Sequence, residues 1–474
     1  MPSPCALQRE TRNSKSSTCV MKNSNELSPG RSPKNYKTNE LLDFMLLYAK
    51  QYLASGGPTS RLEESLHQVG VKHGRLTEVF ATPTGVFVSL QDEARLEDPR
   101  TSLVRLRDTG TDLGRLCKLE HVYTDIVEGR ISLRAGLETI KNPIITRPLY
   151  KMWHSAAAAL FAGFAISFNP YHHVRAALMS GVITLLVWLS TTLYLKRRLN
   201  NPLFTDFVGA FLTLVMAALA HGYFAALSIE AYALGGIVML VPGLALTTAI
   251  SEVAEQNLVS GTAKLMQATM ALLALGLAYL LFQQLAFSLD LRNALAPVVA
   301  PKQDFWISAA AILTTVACFG VIFKVPPRAL VWSTITGAAG WITLQACIPT
   351  RAAAAGPFLA SVMVGIVSLG FGRVFRQPSQ VYSVPGIVAL LPGLIALNSF
   401  RYFASGDQNS GIAFSFKVAI TAVSIVFGLM TARLPFQVGG EYKAYVLQGI
   451  QRAFRYDLKR RYGRGNVFQK KPKA

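Results

Sequence analysis

Apolar positions divide this chain into three regions: residues 1 to 150 mix polar and apolar positions as a water-exposed unit does, 152 to 432 are mostly apolar, and 440 to 474 are polar and basic. In the first region the punctuation predicts an α+β unit. One helix covers LLDFMLLYAKQYLASGG and stops at Gly56-Gly57-Pro58, and a second, capped at Thr59 or Ser60, covers TSRLEESLHQVGVKHG. Alternating apolar residues predict strands at LTEVFAT, GVFVSL and SLVRLR, the first two joined across Thr82-Pro83-Thr84. Two further helices are expected, from Asp112 to Glu128 and from Ser132 to Ile140.

Beyond Lys151 the apolar runs reach membrane-spanning length. They lie near residues 152–168, 174–195, 203–224, 226–246, 261–287, 305–323, 329–348, 354–374, 381–400 and 411–432, which makes about ten spans. The fold class is therefore a predominantly α-helical polytopic membrane protein preceded by a small α+β domain. Stretches such as SAAAALFAGFA and TITGAAG favour close backbone packing between helices, where lipid leaves little hydrophobic force to drive association.

The spans repeat. At an offset of 150, GGIVMLVPGL (235 to 244) and PGIVALLPGL (385 to 394) agree at seven of ten positions, and the register holds to Ser260-Gly261 and Ser410-Gly411. At an offset of 153, Trp153, Ser155 and Ala156 match Trp306, Ser308 and Ala309, and Arg175 and Trp188 match Arg328 and Trp341. A unit of about five spans thus occurs twice, and because five is odd the copies enter the membrane inverted. The expected organisation is a disordered leader (1–39), a cytoplasmic α+β domain (40–145), a first repeat (146–290), a second repeat (303–435) and a basic cytoplasmic tail (436–474).

Composition agrees: 51% of residues are hydrophobic and 15% charged, against about 25% charged in a soluble domain. The net charge of +21 gathers in flanks such as KRRYGR and QKKPK. It reads as topology and lipid-headgroup charge, with no nucleic-acid partner. Loops after even-numbered spans carry eight Lys or Arg, those on the other side six, and the tail from residue 440 carries ten, so both termini are expected in the cytoplasm. The five cysteines form no CxxC or Cys/His ligand spacing, and neither a metal nor a cofactor is expected. His67, His73, Asp108, Asp112 and His121 fall in no GxSxG, HExxH or phosphate-loop pattern. The N-terminal region is expected to regulate or gate, and the protein not to be an enzyme.

The candidate chemistry sits at the breaks. Proline removes a backbone donor and glycine admits an irregular path, and Pro242-Gly243, Pro385-Gly386 and Pro392-Gly393 do this inside apolar segments. Half-helix ends there suit a zwitterion: an N-terminus for a carboxylate, free carbonyls for an ammonium. Thr247, Thr248, Asn398 and Ser399 follow the breaks, Thr248 and Asn398 at equivalent positions, as candidate substrate contacts. A repaired proline kink and ordinary helix caps are the competing readings. Glu252, Asp206 and Glu230 are the candidate proton-coupling acids; the alternative for Glu252 and its neighbour Glu255 is the wet face of an interfacial helix.

With ASGGPTSRLEESL, TPTGVFVSL, TDLGRLCKLEHVYTDIVEGRISLRAGLETI, VPGLALTTAISEVAEQNLVSG and VPGIVALLPGL in place, the chain resembles the threonine/serine exporter family in its fused single-chain form over roughly residues 40 to 435. The resemblance implies a cytoplasmic N-terminal domain, a ten-span membrane part in a bacterial cytoplasmic (inner) membrane, and gradient-driven export of small amino acids. Two-subunit relatives are associated with dicarboxylates, which leaves export of a dicarboxylate such as succinate as an alternative. A channel, or a membrane-anchored enzyme active in 40–145, are alternatives from other classes. Expected partners are an amino-acid substrate and the lipid bilayer, with homo-oligomerisation left open.

Overall fold

The computed structural model describes residues 33–92, 99–106, 110–195, 198, 201–224, 227–291, 294, 304–348, 355–391 and 393–462. Helix α1 (Pro33–Ala54) begins inside the segment expected as a leader, of which residues 1–32 lie outside the described residues. Its Leu41, Phe44, Met45, Tyr48 and Tyr52 recur at three- and four-residue spacing and are buried, which is why this stretch is a helix with one apolar face. Helix α2 (Thr59–Lys72) packs on the antiparallel sheet β1 (Arg75–Thr82), β2 (Gly85–Asp92) and β3 (Arg100–Arg105), in which Thr82 faces Gly85 across the two-residue turn Pro83-Thr84. Helix α3 (Leu113–Glu128) is capped by Asp112, whose carboxylate accepts from the Arg115 N–H at 2.9 Å, and stops at Gly129 with φ 79°. Ser132 caps α4 (Leu133–Lys141), and α5 (Pro143–Thr146) leads toward the membrane part. These elements bear out the predicted strands and the two predicted Asp112 and Ser132 starts.

The membrane part follows as α6 (Met152–Tyr171), α7 (Val174–Leu189, continued by a π-helix to Leu195), α8 (Pro202–Phe224), α9 (Ile229–Leu240), α10 (Gly243–Ala254) and α11 (Leu258–Ser288). Then come α12 (Phe305–Ile322), α13 (Pro327–Cys347), α14 (Gly356–Phe375), α15 (Gln380–Val388), α16 (Gly393–Ala404) and α17 (Gln408–Tyr462). Among the described residues seven helices are long and apolar enough to cross a membrane, counting α9 with α10 as one; α6, α13 and the α15–α16 pair, three of the ten expected spans, fall short by that measure. Large apolar side chains such as Leu178, Val182, Leu273, Leu277, Ile366 and Phe427 stay exposed, while Ala159, Ala162, Ser180, Ser333 and Ala360 are buried. Small residues inside and large ones outside is the packing expected of helices in lipid.

The duplication is visible element by element. The starts of α6 and α12, and of α7 and α13, differ by 153; those of α10 and α16, and of α11 and α17, differ by 150. Contacts between the halves come in reciprocal pairs: α9 meets α16 as α15 meets α10, and α10 meets α17 as α16 meets α11, while α6 meets its own counterpart α12. Exchange of partners in this way is what a two-fold axis between the halves produces.

The N-terminal domain is seated on both halves. Val325, Ala329, Val381 and Tyr382 of the second repeat join the same apolar core as Leu62, Leu116 and Leu119. The Leu113 N–H donates to the Phe323 carbonyl at 3.0 Å, Lys324 pairs with Asp112 at 2.9 Å, and the Tyr150 hydroxyl donates to the Val325 carbonyl at 2.8 Å. The tight Phe323-Lys324-Val325 turn, with Lys324 at φ 57°, is therefore a docking point as well as a loop.

Candidate transport site

The first break falls where the sequence puts it. α9 ends at Leu240 and α10 restarts at Gly243, and the Gly243 N–H donates to the Val241 carbonyl across Pro242 at 2.8 Å. In the second half the same bond joins the Gly393 N–H to the Leu391 carbonyl at 2.9 Å; Pro392 itself lies outside the described residues. The breaks approach each other. A Cβ on Gly243 would stand 3.0 Å from Leu391, and one on Gly393 would stand 3.2 Å from Val238, so each glycine makes room for the opposite half.

Pro385 corrects the expectation of two breaks in the second half. It lies inside α15, buried, without ending it. The reason is packing: Gly386 presses on α13, where an added Cβ would stand 3.1 Å from Thr336, and neighbouring helices hold a proline turn that would open in isolation.

A cavity of about 1950 Å³ opens between the breaks and the N-terminal domain. Pro242, Gly243, Thr247, Thr248 and Gly393 line it, as do Asp206, Ser251 and Glu252. The Thr247 and Thr248 hydroxyls both turn back to carbonyls three residues earlier, at 3.0 Å, the usual local bond for Thr in a membrane helix. Pro385, Gly386, Asn398 and Ser399 are not among its lining residues. Ser399 instead holds the next helix, donating to the Gly411 carbonyl at 3.0 Å and meeting the Ser415 hydroxyl at 2.6 Å. Asn398, half-buried, does not join Thr248 in the cavity. Of the equivalent pairs, Gly243 and Gly393 at the breaks both reach the cavity, whereas of Thr248 and Asn398 only Thr248 does.

Glu252 is not on a wet face. It is 2% exposed and holds three partners: Lys264 in an ion pair, the Ser260 hydroxyl, and the Thr59 N–H at 3.3 Å. Glu255, half-buried beside it, accepts from the Ser60 hydroxyl at 2.6 Å and pairs with Arg433. This corrects the predicted cap of α2. Neither Thr59 nor Ser60 caps the helix with its own hydroxyl, and Pro58 stands at the cap position with no side-chain bond. The acceptor for the free N–H comes from the membrane part, where a carboxylate at a helix N-terminus is favoured by both the hydrogen bond and the dipole. Nearby, burial raises the Glu63 carboxyl above its usual range, the Ala81 N–H lowers it and the charge of Glu252 raises it further.

Glu230, also buried, lies at the other end of the same α9–α10 span. It accepts from the Tyr279 hydroxyl at 2.7 Å and from Arg401 at 3.3 Å. Lys264, Arg401, Ser60 and Arg433 were absent from the sequence-based site. Lys264 was the most accessible to foresight, being the basic residue in the same VSGTAK turn that follows Glu252.

With that geometry established, the whole-chain matches carry weight. A family model described as "Putative threonine/serine exporter" matches residues 43–286, and one described as "Threonine/Serine exporter, ThrE" matches residues 308–434. The chain belongs to the threonine/serine exporter family. The border between the two matches falls between the repeats, in the segment 289–304 that separates α11 from α12. Uncharacterized protein C16A10.01 of Schizosaccharomyces pombe (strain 972 / ATCC 24843) is 24% identical over 247 residues, 48% of this chain and 28% of that protein. This exporter-family chain thus spans well under half of that relative's length. No solved structure matches it. Family and fold together make it an integral multi-pass membrane protein whose family carries small molecules across the bilayer.

Proposed function

We propose that the protein exports threonine, serine or similar small amino acids by alternating access, driven by the membrane gradient, with both termini in the cytoplasm. The observation that carries this reading is the meeting of two broken helices from duplicated halves at the head of a cavity that opens on the N-terminal-domain side. That side is the one the loops after even-numbered spans occupy, Lys264, Lys324 and Arg376 among them, so the cavity faces the cytoplasm in this state. A substrate carboxylate is placed at the N-terminus of α10, at Gly243, and its ammonium and hydroxyl near Thr247, Thr248 and Glu252. A channel needs no such reciprocal packing of two halves, and a tethered enzyme needs no duplicated spans.

Glu252 is assigned the coupling role. Its protonation removes the charge that holds Lys264 and caps α2, which ties proton binding to the seating of the N-terminal domain. Uptake of labelled threonine, serine and succinate into inverted vesicles, with and without a proton gradient, tests the whole reading: threonine or serine should accumulate only with the gradient, succinate accumulation would move the assignment to dicarboxylates, and movement of none would reject it. For Glu252→Gln the expected result is export that no longer responds to the gradient; an unchanged response would remove Glu252 from coupling.

A further inference from the structure

The repeat relates two positions at opposite ends of the cavity axis, and the structure holds them in opposite states. Glu230 opens α9 and Arg401 lies near the end of α16; their ion pair at 3.3 Å joins the first half to the second. At the offset of 150, Glu230 corresponds to Gln380 and Arg401 to Ser251. Gln380 opens α15 and Ser251 lies near the end of α10, so the symmetry-related pair joins the same two elements with the halves exchanged. Around Glu230 the space is filled: Tyr232, Tyr279, Phe282 and Leu397 form one buried cluster, with Phe400 against it. Around Ser251 and Gln380 it is not: both residues line the cavity, and among the described residues no hydrogen bond joins them. The side chains of the closed pair are charged and those of the open pair are neutral.

From this we infer that Glu230–Arg401 is the gate on the face away from the N-terminal domain and that Ser251–Gln380 is its counterpart on the near face. In the outward-open state the two halves exchange conformations, Gln380 donates its amide to Ser251 as the near face closes, and Arg401 leaves Glu230. This rests on the alternating-access reading and adds the residues that divide the two states. The gates are unequal by chemistry: a buried ion pair joined by the Tyr279 hydroxyl outweighs a single amide–hydroxyl bond, which biases the protein toward the state open on the side of the N-terminal domain. Glu230 thereby takes a gating role in place of proton coupling.

The test moves the charge from one gate to the other and reads which face reaches the cavity, using full-length protein in sealed vesicles of each orientation. Thr248→Cys reports through labelling by a membrane-impermeant maleimide, with the unsubstituted protein labelled in parallel to subtract native thiols. In the T248C background, R401M should raise labelling from the far face about tenfold, the swap E230R/R401E should restore the original pattern, and S251R/Q380E should cut labelling from the near face about tenfold. The swap also serves as the folding control, since a misfolded protein would not recover its sidedness. Labelling that keeps its side and rate in both R401M and S251R/Q380E overturns the gates. Threonine uptake by the protein with Thr248 intact, in the same vesicles, separates the two readings. Transport without any change of side rejects the gates alone, and a change of side without threonine movement rejects the substrate reading alone.

Discussion

The turn that ends α10 and the turn that ends α16 share a backbone and almost nothing else. In the first, the Asn257 N–H reaches the Glu252 carbonyl at 2.9 Å and the Gly261 N–H the Asn257 carbonyl at 2.8 Å; in the second, Asp407 reaches Tyr402 and Gly411 reaches Asp407, each at 3.0 Å. Each turn passes through one left-handed residue, Gln256 at φ 69° and Gly406 at φ 85°. Yet the Glu252–Lys264 ion pair of the first turn is, position for position, the Tyr402–Phe414 stack of the second, with ring centroids 5.1 Å apart. The two copies keep the same backbone turn and carry different side-chain chemistry on it. The charged turn receives the N-terminal domain and borders the cavity; Tyr402 and Phe414 of the aromatic turn are not among the cavity's lining residues.

The largest break in this comparison is Glu252→Ala. It leaves Lys264, Ser260 and the α2 N-terminus without their common acceptor, and removing one member of a buried pair costs about 3 kcal/mol or more. Denaturant titration in detergent should register the loss, together with faster proteolysis at Gly56-Gly57-Pro58. Transplanting the other turn is gentler: Glu252→Tyr with Lys264→Phe replaces the pair by its own counterpart, so the membrane part should lose less than in Glu252→Ala while the N-terminal domain is still released. The same double variant removes the Glu252 charge that raises Glu63. A carboxyl held above its unfolded value stabilises the fold at low pH and loses that contribution as pH rises from the unfolded to the folded value; without Glu252 this loss should be smaller and complete at lower pH in a thermal-unfolding series.

Gln256 tests the backbone half of the comparison. A non-glycine residue in the left-handed region costs about 1 kcal/mol, so Gln256→Gly, which copies Gly406, should stabilise the protein by about that amount on the same titration. Smallest is Ser60→Ala, which removes one bond to Glu255. It should cost about 1 kcal/mol or less and show mainly as quicker cleavage of the Gly56–Pro58 linker, with the membrane helices unchanged.

Local pattern carried much of this architecture. The strands, the helix starts at Asp112 and Ser132 and the first break at Pro242 follow from spacing, because each is decided by residues within a few positions of one another; the duplicated spans show as matches at a fixed offset. The trans cap from Glu252 to Thr59 crosses 193 positions and leaves no periodic trace, so local pattern predicts a Thr or Ser beside a helix start as its own cap. Pro385 misled for the reverse reason: its local tendency to break is overruled by α13 packed against Gly386. The repeat makes Thr248 and Asn398 equivalent in sequence, but equivalence in sequence does not put both at one cavity, and only Thr248 lines it.

Counterflow tests the central claim most directly, that two inverted copies pass a small amino acid through a cavity open to one side at a time. Vesicles carrying the protein are loaded with unlabelled threonine and given labelled threonine outside. The account predicts faster entry of label than into empty vesicles, with a transient overshoot; label entry that ignores the internal threonine would mark an open pore and contradict it.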